Sequence, residues 1–317
     1  MDISKLFTNE LEVRNNVWIA SEDSSDENQS QTNNIFSNKW DIYSKDEIES
    51  QLKFFEFQKE WYLNLYNFKD EEDLRQYLSK KEFVLDAGCG LGYKSKWFAD
   101  LSPTTQVIGM DYSDSVFIAK ETYKDTKNLE FVKGDIAKTM LQDSVLDFVS
   151  CDQVIHHTEN PQATMIELSR ILKKHGELAV YVYAKKALPR ELLDEHFREK
   201  TKHTSKEEMW EMSQQITFLG KQLADLNATI QVPDIPLLNI KGGDMDVQRF
   251  VYWNLMKCFW NDDLGMETSI STNFDWYAPS NAERYSKEEF LSILKKSNLS
   301  GKEVHTEEAC HSGRFKK

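Results

Sequence analysis

The sequence is short of cysteine: four in 317 residues, with no C-x-x-C pair. Cys89, Cys151, Cys258 and Cys310 stand far apart, which excludes a disulfide framework and a zinc ribbon and makes a reducing cytoplasm the expected location. A long uncharged apolar run is also missing, so no transmembrane helix is expected. Met1-Asp-Ile-Ser-Lys lacks the basic start and apolar core of a secretory signal. Positive charge is scarce: 39 Lys and Arg face 53 Asp and Glu, a formal net charge of −14. Such a surface repels phosphate backbones, so nucleic acid is not an expected partner, and neutral or cationic small molecules fit better. What remains is a hydrophobic content of 40%, enough to bury the core of one large domain or of one domain with a substantial insertion.

The chain is organised around Phe83-Val-Leu-Asp-Ala-Gly-Cys-Gly-Leu-Gly-Tyr93. Phe83, Val84 and Leu85 read as a fully buried parallel strand, Asp86 stands at its carboxyl end, and Gly88, Gly90 and Gly92 follow at alternate positions. Glycines there let the backbone turn sharply and approach a ligand. A helix from Tyr93 to Leu101 then points its N-terminus at the same crevice. The dinucleotide pattern G-x-G-x-x-G would need glycine where Tyr93 stands, which counts against a nicotinamide oxidoreductase.

From Phe83 strands and helices alternate. Strands are expected at Gln106–Met110, Leu129–Lys133, Val145–Ser150 and Glu177–Tyr183, with helices at Ser115–Tyr123 and from Pro161 through Leu172, the last closed by Gly176 as a C-cap. This alternation means an α/β, doubly wound, mostly parallel sheet. Ahead of it, Ser21–Asn34 is acidic and free of apolar residues and is expected as a mobile loop. Lys45–Leu65 carries Ile48, Leu52, Phe55, Phe57, Trp61 and Leu65, one wide apolar face of a helix that either packs on the sheet or closes as a lid over the crevice. Beyond Ala184 the pattern changes. Leu188–Phe197 is amphipathic, Met209, Met212, Ile216, Leu219, Leu223 and Leu226 form a heptad-like seam, and Asp246–Asn261 reads as a buried helix after a Pro/Gly loop. Ser286 and Glu289 have capping-box spacing, and Gly301–Lys317 is expected to return as sheet-edge strands. The expected organisation is thus an N-terminal helical segment (1–80), a core (81–184), a helical insertion (185–285) and a C-terminal return to the sheet (286–317).

Asp111 closes the second strand about 20 residues past the glycines, where a carboxylate can accept the two hydroxyls of a ribose. Tyr112 can lie against a base. Asp135, after the third strand, can accept an exocyclic amino group while Ile136 packs on the ring, with a turn aspartate as the plainer alternative. In the fourth loop His156 and His157 are the candidate bases, and adjacent histidines project differently, so one of them at most faces a substrate. Asp152, His156, His157 and Glu159 have no helical metal-ligand spacing, and no metal is assigned.

Val84-Leu-Asp-Ala-Gly-Cys-Gly-Leu-Gly92, Val107-Ile-Gly-Met-Asp111, Phe131-Val-Lys-Gly-Asp135 and Asp147-Phe-Val-Ser-Cys-Asp-Gln-Val-Ile-His-His157 together resemble class I S-adenosylmethionine-dependent methyltransferases, in particular the small-molecule enzymes of the ubiquinone- and menaquinone-biosynthesis kind. Phe36–Trp40, Phe274–Pro279 and Gly313–Lys316 are similar to bacterial methyltransferases of sugar and surface-polymer biosynthesis. The resemblance implies a seven-stranded sheet with an antiparallel last strand. It implies S-adenosylmethionine as cofactor, held by Asp86, Gly88, Cys89, Gly90, Gly92, Asp111, Tyr112, Asp135, Ile136, Asp152 and Gln153, and a small-molecule acceptor taking the methyl group on oxygen or nitrogen. Tyr93 and Lys94 stand where many relatives have a small residue or arginine. The segment 185–285 lies outside the shared core; substrate choice or a homodimer interface is expected there. A protein methyltransferase and a non-catalytic cofactor-binding partner are the alternatives left open.

Overall fold

The computed structural model describes residues 3–20, 26–43, 48–201, 203–301 and 303–317, with the backbone alone for 38–43 and 48–54. It divides into two compact units, Met1–Ala184 with Glu283–Lys317, and Lys185–Ala282.

The first unit opens with a hairpin, β1 (Glu12–Arg14) and β2 (Val17–Ile19), turned by Asn15 and Asn16 at φ 49° and 61°. Asparagine tolerates this left-handed region because its short side chain can bond locally. Helices α1 (Glu27–Tyr43), α2 (Ile48–Leu65) and α3 (Glu71–Leu78) follow. The acidic stretch is therefore helical from Glu27 rather than a loop. Its beginning, 21–25, lies outside the described residues, as does 44–47, which contains the expected start of the next helix. Asp26 explains the difference, since its side chain caps α1 by accepting from the Gln29 amide at 2.6 Å. In α2 the buried stripe is Gln58, Tyr62 and Leu65, whereas Phe57, expected on the apolar face, is 45% exposed.

The alternation then runs β3 (Phe83–Ala87), α4 (Tyr93–Leu101), β4 (Gln106–Asp111), α5 (Ser115–Thr122), β5 (Leu129–Lys133), β6 (Leu146–Cys151), α6 (Pro161–Ile171) and β7 (Leu172–Ala184). Strands β3 to β7 pair in parallel, with Val84 opposite Val107 on one side and Phe148 on the other. Helix α6 starts at Pro161 as expected, capped by Asn160, but it ends at Ile171 and passes straight into β7. Gly176 is therefore not a helix C-cap. It lies in a detour of β7 where the register jumps between Leu146↔Leu172 and Phe148↔Glu177 and His175 turns at φ 68°.

The second unit carries α7 (Leu188–Thr201), α8 (Lys206–Asp225), a small hairpin of β8 (Thr229–Val232) and β9 (Gly243–Asp246), α9 (Val247–Asn254) and α10 (Gly265–Tyr277). The heptad reading of α8 fails on its own face. The residues turned inward are Met209, Ser213, Thr217 and Gly220, while Leu219 and Leu226 are exposed. A Cβ at Gly220 would lie 2.4 Å from the Cys258 carbonyl oxygen, so small residues are what the neighbouring chain demands. Asn273 ties this unit together, donating to Thr217 and Phe259 and accepting from the Phe259 amide. The helix expected over Asp246–Asn261 ends at Asn254, and Cys258 and Trp260 are buried in extended chain.

Back in the first unit, β10 (Arg284–Tyr285) pairs with the end of β7, the Ser286–Glu289 capping box opens α11 (Lys287–Lys296), and β11 (His305–Thr306) and β12 (Cys310–Lys316) complete the sheet. The order is β1-β2-β5-β4-β3-β6-β7-β12-β11, with β10 alongside β7. This is ten strands among the described residues rather than seven: the hairpin extends one edge and β10 is added at β7. Strand β12 runs antiparallel to β7 from Cys310↔Tyr183 to Lys316↔Glu177. Alternate strand residues feed two cores: Leu85, Ile108 and Val149 pack with α6 and α11, and Val84, Val107 and Phe148 with α2 to α5. No helix of the described residues is long and apolar enough to cross a membrane.

Candidate active site

The glycine loop between β3 and α4 is locked by its own amides. Gly88 and Cys89 donate to the Met110 carbonyl at 2.7 and 3.1 Å, and Gly90 donates to Asp111 Oδ2 at 2.8 Å. Gly88 and Gly92 sit at φ 81° and 75°, a region side chains avoid. Space forbids a side chain as firmly: a Cβ would lie 2.4 Å from Val154 at the first and 2.6 Å from the Phe131 ring at the second.

Beside this loop, at the carboxyl ends of β4 to β6, is a cleft. Gly88, Asp111, Tyr112, Asp135, Ile136, Gln153 and His157 line it. Helix α1 supplies the opposite wall through Gln29, Thr32, Asn33 and Phe36. The Phe36 ring meets His157 edge-on at 4.9 Å. Gln153 holds φ 63°, and its side chain donates to Gln58 of α2 at 3.1 Å. Such a strained non-glycine backbone is characteristic of functional loops.

Asp111 is more heavily engaged than expected. Its Oδ1 accepts from the Ser113 amide and hydroxyl at 2.8 and 2.6 Å, and its Oδ2 from Gly90. Of about four lone-pair sites on a carboxylate, one on Oδ2 stays open. Asp135 is anchored by the Ala137 amide at 2.8 Å, and burial raises its carboxyl above the usual range.

A buried ionic cluster joins the end of β3, the first turn of α4 and the end of β6. Lys94, in the first turn of α4, donates to Asp152 Oδ2 at 2.6 Å, and the Tyr66 hydroxyl donates to Asp152 Oδ1 at 2.7 Å. Burial works to discharge Lys94, but Asp152 and Asp86 together outweigh it and hold the ammonium protonated well above its ordinary range. Asp86 accepts from Ser95 Oγ at 2.7 Å; burial raises it, with Lys94 and Ser95 pulling it back. The neighbouring Tyr93 phenol is pushed up to about 12 by burial and stacks on Phe55 at 4.2 Å.

Seven of the thirteen residues expected at the site therefore form the cleft wall. The other six do not. Cys89, Gly90 and Gly92 belong to the glycine loop, and Asp86 and Asp152 to the buried cluster around Lys94. His156, a candidate base, is fully buried: its ring lies tilted against Tyr183, centroids 3.8 Å apart, and its carbonyl accepts from the Glu283 amide. Among the described residues, no three His, Cys, Asp or Glu side chains converge as a metal site. The α1 wall escapes a reading of the sequence because Gln29, Thr32 and Asn33 are polar. The available signal is the Asp26 cap, with Thr32, Ile35 and Phe36 three and four apart.

Residues 85–180 match the family model described as a methyltransferase domain. That segment holds the glycine loop and the strand-end acids, and it is similar to a methyltransferase domain. An uncharacterized methyltransferase of Schizosaccharomyces pombe is 33% identical over 35% of this chain and 42% of its own length. The demethylmenaquinone methyltransferase of Staphylococcus saprophyticus is 29% identical over 36% of this chain and 52% of its own. The chain thus spans about half or less of the length of these relatives. A solved S-adenosylmethionine-dependent methyltransferase from Aquifex aeolicus superposes with a TM-score of 0.41 and 17% identity over 80% of this chain and 91% of that one.

Proposed function

We propose that the protein transfers a methyl group from S-adenosylmethionine to a small-molecule hydroxyl or amine, with His157 as the base. The observation that carries this reading is the cleft, which gathers Gly88, Asp111, Asp135, Ile136 and His157 with Phe36 of α1. The residues fit the cofactor: an acid at one strand end for a ribose hydroxyl, and an acid with isoleucine at the next for an adenine edge and face. When bound, S-adenosylmethionine supplies an electrophilic methyl group open to in-line attack. Asp111 holds one ribose hydroxyl with its open lone pair, and a second hydroxyl would replace the Ser113 contact. Asp86 and Asp152, with one lysine between them, give the buried cluster a surplus of negative charge that suits a sulfonium and an ammonium. Helix α1 excludes water, and one ring nitrogen of His157 takes the acceptor's proton.

Calorimetric titration with S-adenosylmethionine, S-adenosylhomocysteine and NAD tests this. Micromolar binding of the first two and none of NAD is expected; folded protein that binds neither adenosyl ligand sinks the reading. Asp111→Ala should weaken adenosyl binding by about 1–3 kcal/mol, the worth of a charged hydrogen bond plus the loosened Gly90 amide.

A further inference from the structure

The inserted unit buries more positive than negative charge around a single indole. Lys186, Arg190 and Lys257 are 8%, 1% and 6% exposed. Their cationic groups lie 5.9, 5.0 and 4.7 Å from the centroid of the Trp276 ring, and Lys186 is also 5.4 Å from that of Trp253. Arg190 is satisfied: its Nε donates to Asp194 Oδ2 at 2.8 Å, and Nη1 donates to the Tyr252 carbonyl. Lys257 is not. Among the described residues no hydrogen-bond acceptor meets its ammonium, and the indole face is its close contact. The acids that face it are Asp194, already bound to Arg190, and Asp275.

A buried ammonium is costly unless paired, and an indole face replaces only part of its lost hydration. Burial, then Arg190, push Lys257 down to about 7, with Lys186 adding to the effect and Asp275 and Asp194 opposing it. Three cations and two indoles around one unfilled hydrogen-bonding site match a ligand that is small and negative. We propose that this cluster is a binding site for an oxyanion, a carboxylate or phosphate group, held by Lys257 and Lys186 against Trp276. It stands on the inserted unit alone and does not depend on the methyl-transfer reading.

Thermal unfolding of the full chain in sodium phosphate, sodium acetate and sodium chloride at matched ionic strength tests it. Phosphate or acetate should raise the wild-type midpoint by several degrees beyond chloride, the larger shift identifying the preferred group, and Lys257→Met should abolish the rise. Lys257→Met itself should melt at or above the wild type in chloride, because a buried unpaired charge has been replaced by an apolar chain of similar length. If that variant does not fold, Lys186→Met carries the same comparison, with a weakened anion response. A wild type indifferent to both anions overturns the site, as does a variant that responds as strongly as the wild type.

Discussion

The two units bury charge in opposite ways. In the first unit one lysine is shared by two aspartates, Lys94 between Asp152 and Asp86, and the Tyr66 hydroxyl bonds Asp152 as well. In the inserted unit Lys186, Arg190 and Lys257 gather on the Trp276 ring; Arg190 takes Asp194, and Lys257 has the indole face as its close contact. In a chain of net charge −14 the scarce sign is the one in excess among the charges buried beside Trp276: Lys186, Arg190 and Lys257 against Asp194. Burial is tolerated where the partners are internal, and a surplus is kept where a partner comes from outside; excess acid suits a cationic ligand and excess base an anionic one.

The largest effect should come from breaking the paired side. Lys94→Met leaves Asp152 and Asp86 buried without a counter-charge and should cost about 3–5 kcal/mol of stability, read by denaturant unfolding. Next, within the cleft, His157→Ala should lower turnover about 10²-fold while calorimetry finds cofactor affinity unchanged; full turnover at every pH would remove it as a base. Lys257→Met should act in the opposite direction to Lys94→Met, stabilising the anion-free protein by about 2 kcal/mol near neutral pH. The sign of its pH dependence is fixed. The folded-state value lies below the ordinary 10.5, so the unfolded chain binds the proton more tightly. Wild-type stability is therefore penalised fully below about 7 and recovers as pH rises towards 10.5, and the variant's advantage shrinks over that window. Asp26→Ala is the mildest: losing the α1 cap should cost about 1 kcal/mol of helix stability and weaken cofactor binding several-fold.

Legibility in the sequence followed the same division. The glycine loop, Asp111, Asp135 and the alternation of β3 to β7 were readable because a buried parallel strand is a continuous apolar run and strand ends place their acids locally. Helix α1 was not, since a wall facing a polar cleft carries no apolar stripe and only the Asp26 cap marks it. The seam on α8 misled because Leu219 and Leu226 have the right period, while the packing face is set by a distant backbone, the Cys258 carbonyl against Gly220. His156 and His157 were inseparable in sequence. A single turn of 3-10 helix, Ile155–His157, buries one beside Tyr183 and turns the other to the cleft. Nothing local marks Lys257 as buried, because its surroundings come from α7, α9 and α10.

The pairing of Tyr183 with Arg284 and of Ala184 with Tyr285 places the chain's departure from the sheet and its return side by side. Everything from Lys185 to Ala282 is spelled between two neighbouring backbone positions. Loop-closure cost grows only slowly with length, so a longer, shorter or unrelated segment could be spliced at the same two points with the strands undisturbed. The fold is in this respect a socket: one continuous cassette could be exchanged while the glycine loop and its acids stay as they are.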